Sequence, residues 1–385
     1  MPWREMDVRD QRIAFVLAMG QPGSRMAETC RRYEISRKTG YKWLARDQAA
    51  HSVAALADRS RRPRQSPQRT ARAVTAQVIA LRAQYGWGGA KLATLLAREG
   101  VRVARRTIDR IIQREGLTRA DVAPAPALRR FARATANELW QMDAKGAYPV
   151  RPGGQCHPLS IVDDASRYAL ALVALPRLET HGVRQALVGC FETYGVPDGM
   201  LMDHGVPWWA AVSGGGLTTL SVFLLKQEIR LHYGRVRHPQ TQGKVERFHR
   251  TLGERLRAWG VPSDLAGFTD AFGRFREEYN AVRPHAALQY QTPAARFQPS
   301  PRAYTALPRA WEYPSGSDVH HVDESGSVAY AGHRWFVSQA LTGEPVACTR
   351  HHRRVLVTFR NMYVREWHLR SGRSVPLWRR RKAAG

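Results

Sequence analysis

The sequence has few cysteines, no long apolar run and few acidic residues for its length. Its four cysteines are scattered along 385 residues without a CxxC pair. That spacing argues against a disulfide framework and against a cysteine-built zinc site. No run of about 18 apolar residues occurs, and the start MPWREMDVRDQR has no apolar signal region. Neither a membrane span nor secretion is expected, and a reducing cytoplasmic setting is predicted.

Cationic residues are abundant instead. There are 60 Lys and Arg against 32 Asp and Glu, which gives a formal net charge of +28. The surplus lies mainly in residues 1–130 and 301–385, while 131–300 is nearly balanced. Such an excess usually indicates nucleic-acid binding, because neutralising phosphates releases counterions and drives association. The alternative is a soluble protein that is simply rich in arginine.

Residues 1–55 have the pattern of a helix-turn-helix domain. Short amphipathic helices are followed by a helix from about Arg37 to Arg46, for which Ser36 is the predicted N-cap. In this motif the second helix enters the major groove of DNA. Tyr41 and Leu44 are predicted to face the core. Three cations of this helix are candidate DNA contacts: Arg37, Lys38 and Lys42.

A second helix-turn-helix unit is predicted at 71–120. Its helices lie near 71–84, 89–98 and 104–115, and the last is the predicted recognition helix. Ile108, Ile111 and Ile112 should be buried. The outward cations of this helix are candidate DNA contacts: Arg105, Arg106 and Arg110.

The two units are joined by a basic linker at 56–70, rich in Arg, Pro and Ser. It is suited to follow a DNA backbone or minor groove, and a solvated linker is the alternative. Its candidate DNA contacts are Arg61, Arg62 and Arg64. A second linker is predicted at 121–135.

From 136 to 300 the pattern changes to a mixed α/β sheet. The first predicted strand has Trp140 and Met142 on one face, and a hairpin turns at Asp163–Arg167. A helix, a strand that stops at Asp203, a helix, a strand and a final helix follow. Residues 301–372 are predicted to form a small β-barrel that binds DNA, and 373–385 a basic tail.

Three carboxylates lie where this sheet would expose them. Asp143 is in the first strand, Asp203 ends a later strand, and Glu246 is on the last helix. If they converge, their repulsion requires a cation, and hard oxygen ligands favour Mg²⁺ or Mn²⁺. Two such ions can activate an attacking hydroxyl and stabilise the leaving oxygen at phosphorus.

The helix of Glu246 has an apolar stripe and a cationic surface. The stripe consists of Val245, Phe248, Leu252 and Leu256. Its candidate DNA contacts are Lys244, Arg247 and Arg250. His249 is interpreted as a surface residue, either solvated or positioning a phosphate.

Other polar and aromatic groups have two interpretations each. Asp163 and Asp164 are either ordinary turn acids or metal ligands, and turn chemistry is favoured. Trp208 and Trp209 either act as a wedge against a base or pack under a glycine-rich loop. His351 and His352 are more typical of a basic DNA face than of a metal site.

Four segments carry a resemblance to a known family: LWQMDAKG, SIVDDASRY, GVPDGMLMDHG and HPQTQGKVERFHRTL. In that order and spacing, the chain resembles the integrase-core transposases of bacterial insertion sequences in the DDE superfamily. The segment YNAVRPHAALQYQTPAARF is similar to the one that follows the core in that family. Two departures affect the loop before Glu246: His204 stands where Asn is commoner, and VPWWAAVSGGGL lengthens the connection.

The resemblance implies an RNase H-like core with Asp143, Asp203 and Glu246 as the metal-binding triad. It implies a transposase that binds terminal inverted repeats, cleaves at the element ends and joins the 3′-OH to target DNA, as a dimer or higher oligomer on DNA. Two alternatives remain: a DNA-binding regulator that has lost catalysis, and an RNase H-like nuclease that cuts without joining.

Overall fold

The structure is a computed structural model. It describes residues 7–59, 69–118, 133–203, 205, 207–209, 216–233 and 243–376. The chain divides into two compact units, Met1–Ala71 and Arg72–Gly385. Within the described ranges, no helix has both the length and the apolar character needed to cross a membrane.

The first unit is a small helical domain. Its helices are α1 (Val8–Met19), α2 (Met26–Arg32) and α3 (Arg37–Ala50), followed by a 3₁₀-helix at Val53–Leu56. The predicted N-cap is confirmed, since Ser36 Oγ accepts from the backbone N–H of Thr39 at 3.2 Å.

The core of this unit corrects one prediction about α3. Trp43 and Gly40 face inward, and a Cβ on Gly40 would lie 2.6 Å from Cys30 Sγ and 2.9 Å from Phe15. Tyr41 is 59% exposed, so its predicted core position was wrong. The reason is helical geometry, because the residue after Gly40 is rotated by about 100° away from the inward face.

The second unit begins with three helices, α4 (Arg72–Tyr85), α5 (Gly89–Arg98) and α6 (Arg105–Arg114). Their positions agree with the predicted ones, and Ile108, Ile111 and Ile112 are buried as predicted. A buried arginine ties them together. Arg82 donates to the carbonyls of Trp87 at 2.9 Å and Leu117 at 3.0 Å.

A mixed sheet forms the centre of the second unit. Its strands are β1 (Trp140–Ala144), β2 (Tyr148–Pro149), β3 (Gln155–Asp163), β4 (Ala169–Leu175), β5 (Gly199–Met202) and β6 (Arg230–Tyr233). The order across the sheet is β4-β3-β1-β5-β6, with β2 paired to one end of β3. Strand β3 is antiparallel to both β4 and β1, while β1, β5 and β6 run parallel to one another. This is the predicted RNase H-like arrangement.

Helices cover both faces of the sheet. Helices α7 (Thr180–Tyr194) and α8 (Thr219–Lys226) pack on the face of Trp140 and Met142. Helices α9 (Gly243–Trp259) and α10 (Leu265–Glu277) pack on the other face, and a π-helical turn follows at Glu278–Val282. The predicted apolar stripe of α9 is confirmed in full, because Val245, Phe248, Leu252 and Leu256 are all buried.

The carboxy-terminal part is strand-rich, as predicted. Its strands are β7 (Asp318–His321), β8 (Ser327–Tyr330), β9 (His333–Phe336), β10 (Pro345–His351), β11 (Arg354–Phe359), β12 (Met362–His368) and β13 (Arg373–Pro376). The described strands pair as two sheets, an antiparallel β13-β12-β11-β10-β7 sheet and a β8–β9 hairpin. Trp335 and Trp367 stack at 5.6 Å between them.

Candidate active site

Two of the three predicted carboxylates lie at neighbouring strand ends of the mixed sheet, and the third lies on α9. Gln141 of β1 is paired in parallel with Leu201 of β5, and Asp143 and Asp203 each lie two residues beyond that pair. Glu246 lies in the first turn of α9, with its side chain exposed. Parallel strands end at the same edge of a sheet, and this topology brings the first two carboxylates to neighbouring positions.

The charges of Asp203 and Glu246 act on Asp143. The pKa of Asp143 is raised from its ordinary 3.8 to about 7. Burial is the largest cause, and the negative charges of Asp203 and then Glu246 add to it. Among the described residues, no three His, Cys, Asp or Glu side chains are already spaced to hold a metal ion. The carboxylates are therefore electrostatic neighbours rather than a preformed cage.

Asp203 is held by the segment that follows it. Its Oδ1 accepts from the backbone N–H of Gly205 at 2.8 Å and from the indole N–H of Trp208. Trp208 is buried, and Trp209 packs edge-on against Tyr233 at 4.7 Å. Of the two interpretations of these tryptophans, packing describes their positions, and Trp208 also orients a carboxylate.

His249 is buried, so the prediction of a surface histidine was wrong. Its Nε2 lies 2.6 Å from Ser160 Oγ, and its Nδ1 lies 3.6 Å from Asp143 Oδ2. Burial, with Lys145 as the second cause, lowers the pKa of His249 to about 4, which leaves the imidazole neutral near pH 7. The signal was in the sequence, because His249 is four residues after Val245 and three before Leu252, on the buried stripe.

A buried ion pair anchors the start of α9. Lys244 Nζ donates to the carboxylate of Asp164, whose side chain is fully buried. Gln141 Nε2 at 2.6 Å and the backbone N–H of Arg133 at 2.7 Å also donate to Asp164. Burial lowers the pKa of Lys244 to about 8, and the hydrogen bond to Asp164 opposes that shift. The side chain predicted to contact DNA therefore holds the helix of Glu246 to the sheet.

Asp163 and Asp164, at the β3–β4 turn, make contacts beyond those of ordinary turn residues. Asp163 does accept from the backbone N–H of Ser166 at 2.7 Å, as an ordinary turn acid would. It also accepts from the backbone N–H of Asn137 at 2.8 Å. Both acidic side chains are buried, so they organise the base of the site rather than its surface.

The other candidate DNA contacts fall into two groups. Those whose side chains are exposed on α3, α6 and α9 are Arg37, Lys38, Lys42, Arg105, Arg106, Arg110, Arg247 and Arg250. Those that lie outside the described residues are Arg61, Arg62 and Arg64. His204 of the loop before Glu246, most of both linkers and most of the basic tail also lie outside them. His351 is the last residue of β10 and His352 follows it in the β10–β11 turn, and both are exposed.

Three protein-family models match this chain. One described as an integrase core domain matches residues 227–293. One described as a homeodomain-like domain matches 39–112, and one described as a helix-turn-helix domain matches 11–64. The first match includes α9 with Glu246, the third includes α3, and the second includes α3 except for its first two residues.

Solved structures similar to this chain include retroviral integrases. The HTLV-2 integrase catalytic core domain in complex with magnesium is 15% identical, covering 42% of this chain and 97% of that one, with a TM-score of 0.32. The BIV integrase catalytic core domain is 22% identical over 41% and 92%, with a TM-score of 0.32. A simian T-cell lymphotropic virus intasome chain is 14% identical over 78% and 96%, with a TM-score of 0.38.

The domains of the chain indicate a function in DNA binding and recombination. Helix-turn-helix and homeodomain-like domains precede an integrase core domain in one polypeptide. The core has the mixed sheet of an RNase H-like fold. The matched segments thus combine DNA-binding domains with an integrase core domain.

Proposed function

We propose that this chain binds the terminal inverted repeats of an insertion sequence, cleaves at the element ends, and joins the freed 3′-OH to target DNA. The observation that carries the proposal is the effect of Asp203 and Glu246 on Asp143, whose pKa their negative charges help to raise. Carboxylates that repel one another are stabilised by a cation, and hard oxygen donors suit Mg²⁺ or Mn²⁺. The three residues therefore fit a divalent-metal site, and they are its proposed ligands.

Bound divalent ions, two in the proposed site, would supply activation of the attacking oxygen and charge stabilisation of the leaving oxygen. The residues of the chain fix the ligands. Trp208 orients Asp203, His249 and Ser160 lie against Asp143, and the Lys244–Asp164 pair holds the first turn of α9. Water is the nucleophile for cleavage and the 3′-OH for joining. No serine or tyrosine nucleophile is required, because no covalent protein–DNA link is formed.

Exposed cations are proposed to hold the DNA. Those of α3 and α6 would contact the element ends, and Arg247 and Arg250 would contact the strand next to Glu246. Arginine suits both tasks, because its planar guanidinium pairs bidentately with phosphates and with guanine. One active site handles one strand at each end, so the working form is proposed to be at least a dimer assembled on DNA.

One observation favours a second candidate, a DNA-binding regulator that has lost catalysis. It is the lack of a preformed metal-holding group among the described residues. A third candidate, a nuclease that cuts without joining, has the same triad and differs only in its product.

Strand-transfer assays separate the three candidates. DNA carrying the element ends, labelled on the strand to be joined, is mixed with an unlabelled target plasmid in Mg²⁺, in Mn²⁺ or in EDTA. The proposal predicts labelled target DNA with either metal and none in EDTA. Binding without any nick indicates the regulator, and nicked ends without labelled target indicate the nuclease.

A further inference from the structure

A cluster of cations lies where the second helical domain meets the catalytic core. We call it the cation cluster, and its members are Lys91 of α5, Arg167 of the β3–β4 turn, Arg247 of α9 and Arg283 after the π-helical turn. Lys91 Nζ and Arg283 Cζ face the same indole, at 5.8 and 5.4 Å from the ring centroid of Trp87. Two like charges thus share one aromatic ring.

The other two cations act on the residues next to Arg283. Burial raises the pKa of Tyr279 to about 12, and the charges of Arg283, Arg167 and Arg247 oppose that rise. The ring of His285 lies edge-on to Tyr279 at 4.7 Å. Four segments that are distant in sequence therefore bring their cations around one aromatic pair.

The carboxylates near the cation cluster are Glu254, Glu278, Asp163 and Asp164, which raise the pKa values of Lys91, Arg283 or Arg167. Two of them are shared with further cations, since Glu278 is paired with Arg255 and Asp164 is paired with Lys244. At Lys91 the effect of Glu254 is too small to offset burial and the charge of Arg283, which lower its pKa to about 7. Cations that outnumber the carboxylates around them are costly unless an anion joins them.

One buried nitrogen of the cation cluster lacks a hydrogen-bond partner among the described residues. It is Arg167 Nη1. Buried polar atoms are nearly always hydrogen-bonded, and a guanidinium nitrogen can only donate, so an unmatched one in a cationic setting is the pattern of a site awaiting an anion.

We propose that the cation cluster holds a phosphodiester of the DNA backbone. Arg247 directly follows Glu246, so the bound phosphate would lie next to the strand on which the triad acts. The inference rests on the proposed function, because it takes DNA as the substrate. It adds a second task for the second helical domain. While α6 contacts the element end, Lys91 of α5 would fix a phosphate beside the active site and thereby set which bond reaches the triad.

The salt dependence of DNA binding tests this site without requiring catalysis. Full-length wild type, Lys91→Gln, Arg283→Gln and the double variant bind a mixed-sequence duplex in EDTA over a range of KCl concentrations. Loss of this single phosphate contact should reduce the slope of log K against log [salt] by up to about 0.9. Both single variants should therefore have a smaller slope than wild type, and the double variant should lose at least as much as either, but no more than about 0.9. Arg177→Gln is the matched control, because Arg177 is an 82% exposed cation paired with Glu179, and its slope should equal that of wild type.

Stability measurements exclude a trivial loss of binding. Lys91→Gln removes one of two like charges at Trp87, so its Tm without DNA should be equal to or higher than that of wild type. Inorganic phosphate distinguishes the source of the anion. If it raises the Tm of wild type but not of Arg283→Gln, while the DNA slopes stay unchanged, the site takes small anions and the assignment to DNA is overturned.

The remaining outcomes separate this inference from the proposed function. Wild-type slopes for both single variants and for the double variant overturn the phosphodiester site, even if wild type joins DNA ends. Reduced slopes in a protein that never forms joined product leave the site standing and remove the proposed function.

Discussion

Replacing Lys244 with methionine should destabilise the second unit by about 3–5 kcal/mol, because it would leave a buried carboxylate without its cation. The side chain of Asp164 is fully buried and that of Lys244 is 17% exposed. After the substitution, Asp164 would keep its hydrogen bonds from Gln141 and from the backbone N–H of Arg133. Those donors are uncharged, so they would offset only part of the cost.

Calorimetry of the full chain measures this effect. For a unit of this size the loss corresponds to a fall in Tm of roughly 5–8 °C. Asp164→Asn in the same chain removes the buried charge, so the double variant should recover much of the loss, and the double-mutant cycle gives the coupling of the pair. Arg257→Met is the control, since Arg257 is exposed on the same helix and should change Tm little.

A small effect would refute this reasoning. If Lys244→Met costs less than about 1 kcal/mol, as an exposed ion pair would, and instead lowers the salt dependence of DNA binding, then Lys244 is a DNA contact. That result would support the interpretation that the sequence pattern of α9 favours.

Three further predictions follow from the site and the first unit. Asp143 has a folded pKa of about 7 against an ordinary 3.8, so its charge costs stability as pH rises between these values. Asp143→Asn in EDTA should therefore have a higher Tm than wild type above pH 7 and the same Tm below pH 3.8. Asp270→Asn, at an exposed position, is the control. A Tm difference between Asp143→Asn and wild type that stays constant with pH would contradict the assignment to the Asp143 charge. His249→Ala should raise the Mg²⁺ concentration needed for half of the thermal shift by about 10–100-fold, as loss of a residue that orients a ligand does. His249→Gln, whose amide can still reach Ser160, should recover part of the lost Mg²⁺ affinity. An unchanged Mg²⁺ response of His249→Ala would show that His249 does not orient a ligand. Gly40→Ala should destabilise the first unit by about 1–3 kcal/mol through overpacking against Cys30 and Phe15. Its control is Gly20→Ala, where the added Cβ meets only backbone oxygens, at 3.5 Å or more; equal urea midpoints for both would contradict the packing argument.

The catalytic core was predictable because its segments have strong periodicity. Trp140 and Met142 alternate along β1 on one face of the sheet, and the stripe of α9 repeats at three and four residues. Asp203 was placed at a strand end by the short apolar run before it. Local pattern and tertiary burial agree at these positions, and for that reason the amino-acid sequence alone predicts these elements.

The contacts that the sequence did not reveal form where the partner of a side chain is distant in sequence. Asp164 and Lys244 are 80 residues apart, and neither a turn acid nor a helix cation reveals locally that it will be buried. His249 was treated as polar surface although it lies on the apolar stripe, because its partner Ser160 comes from β3. The cation cluster draws on four segments, so composition could indicate DNA binding but not this arrangement.

The most direct test of the metal-dependent triad is strand joining by single variants of it. Wild type, Asp143→Asn, Asp203→Asn, Glu246→Gln and the exposed-surface control Glu192→Gln would each be given pre-cut element ends, target DNA and Mg²⁺. The account predicts that all five bind the ends, while only wild type and the control form joined product. Joined product at wild-type level from any of the three triad variants would contradict it.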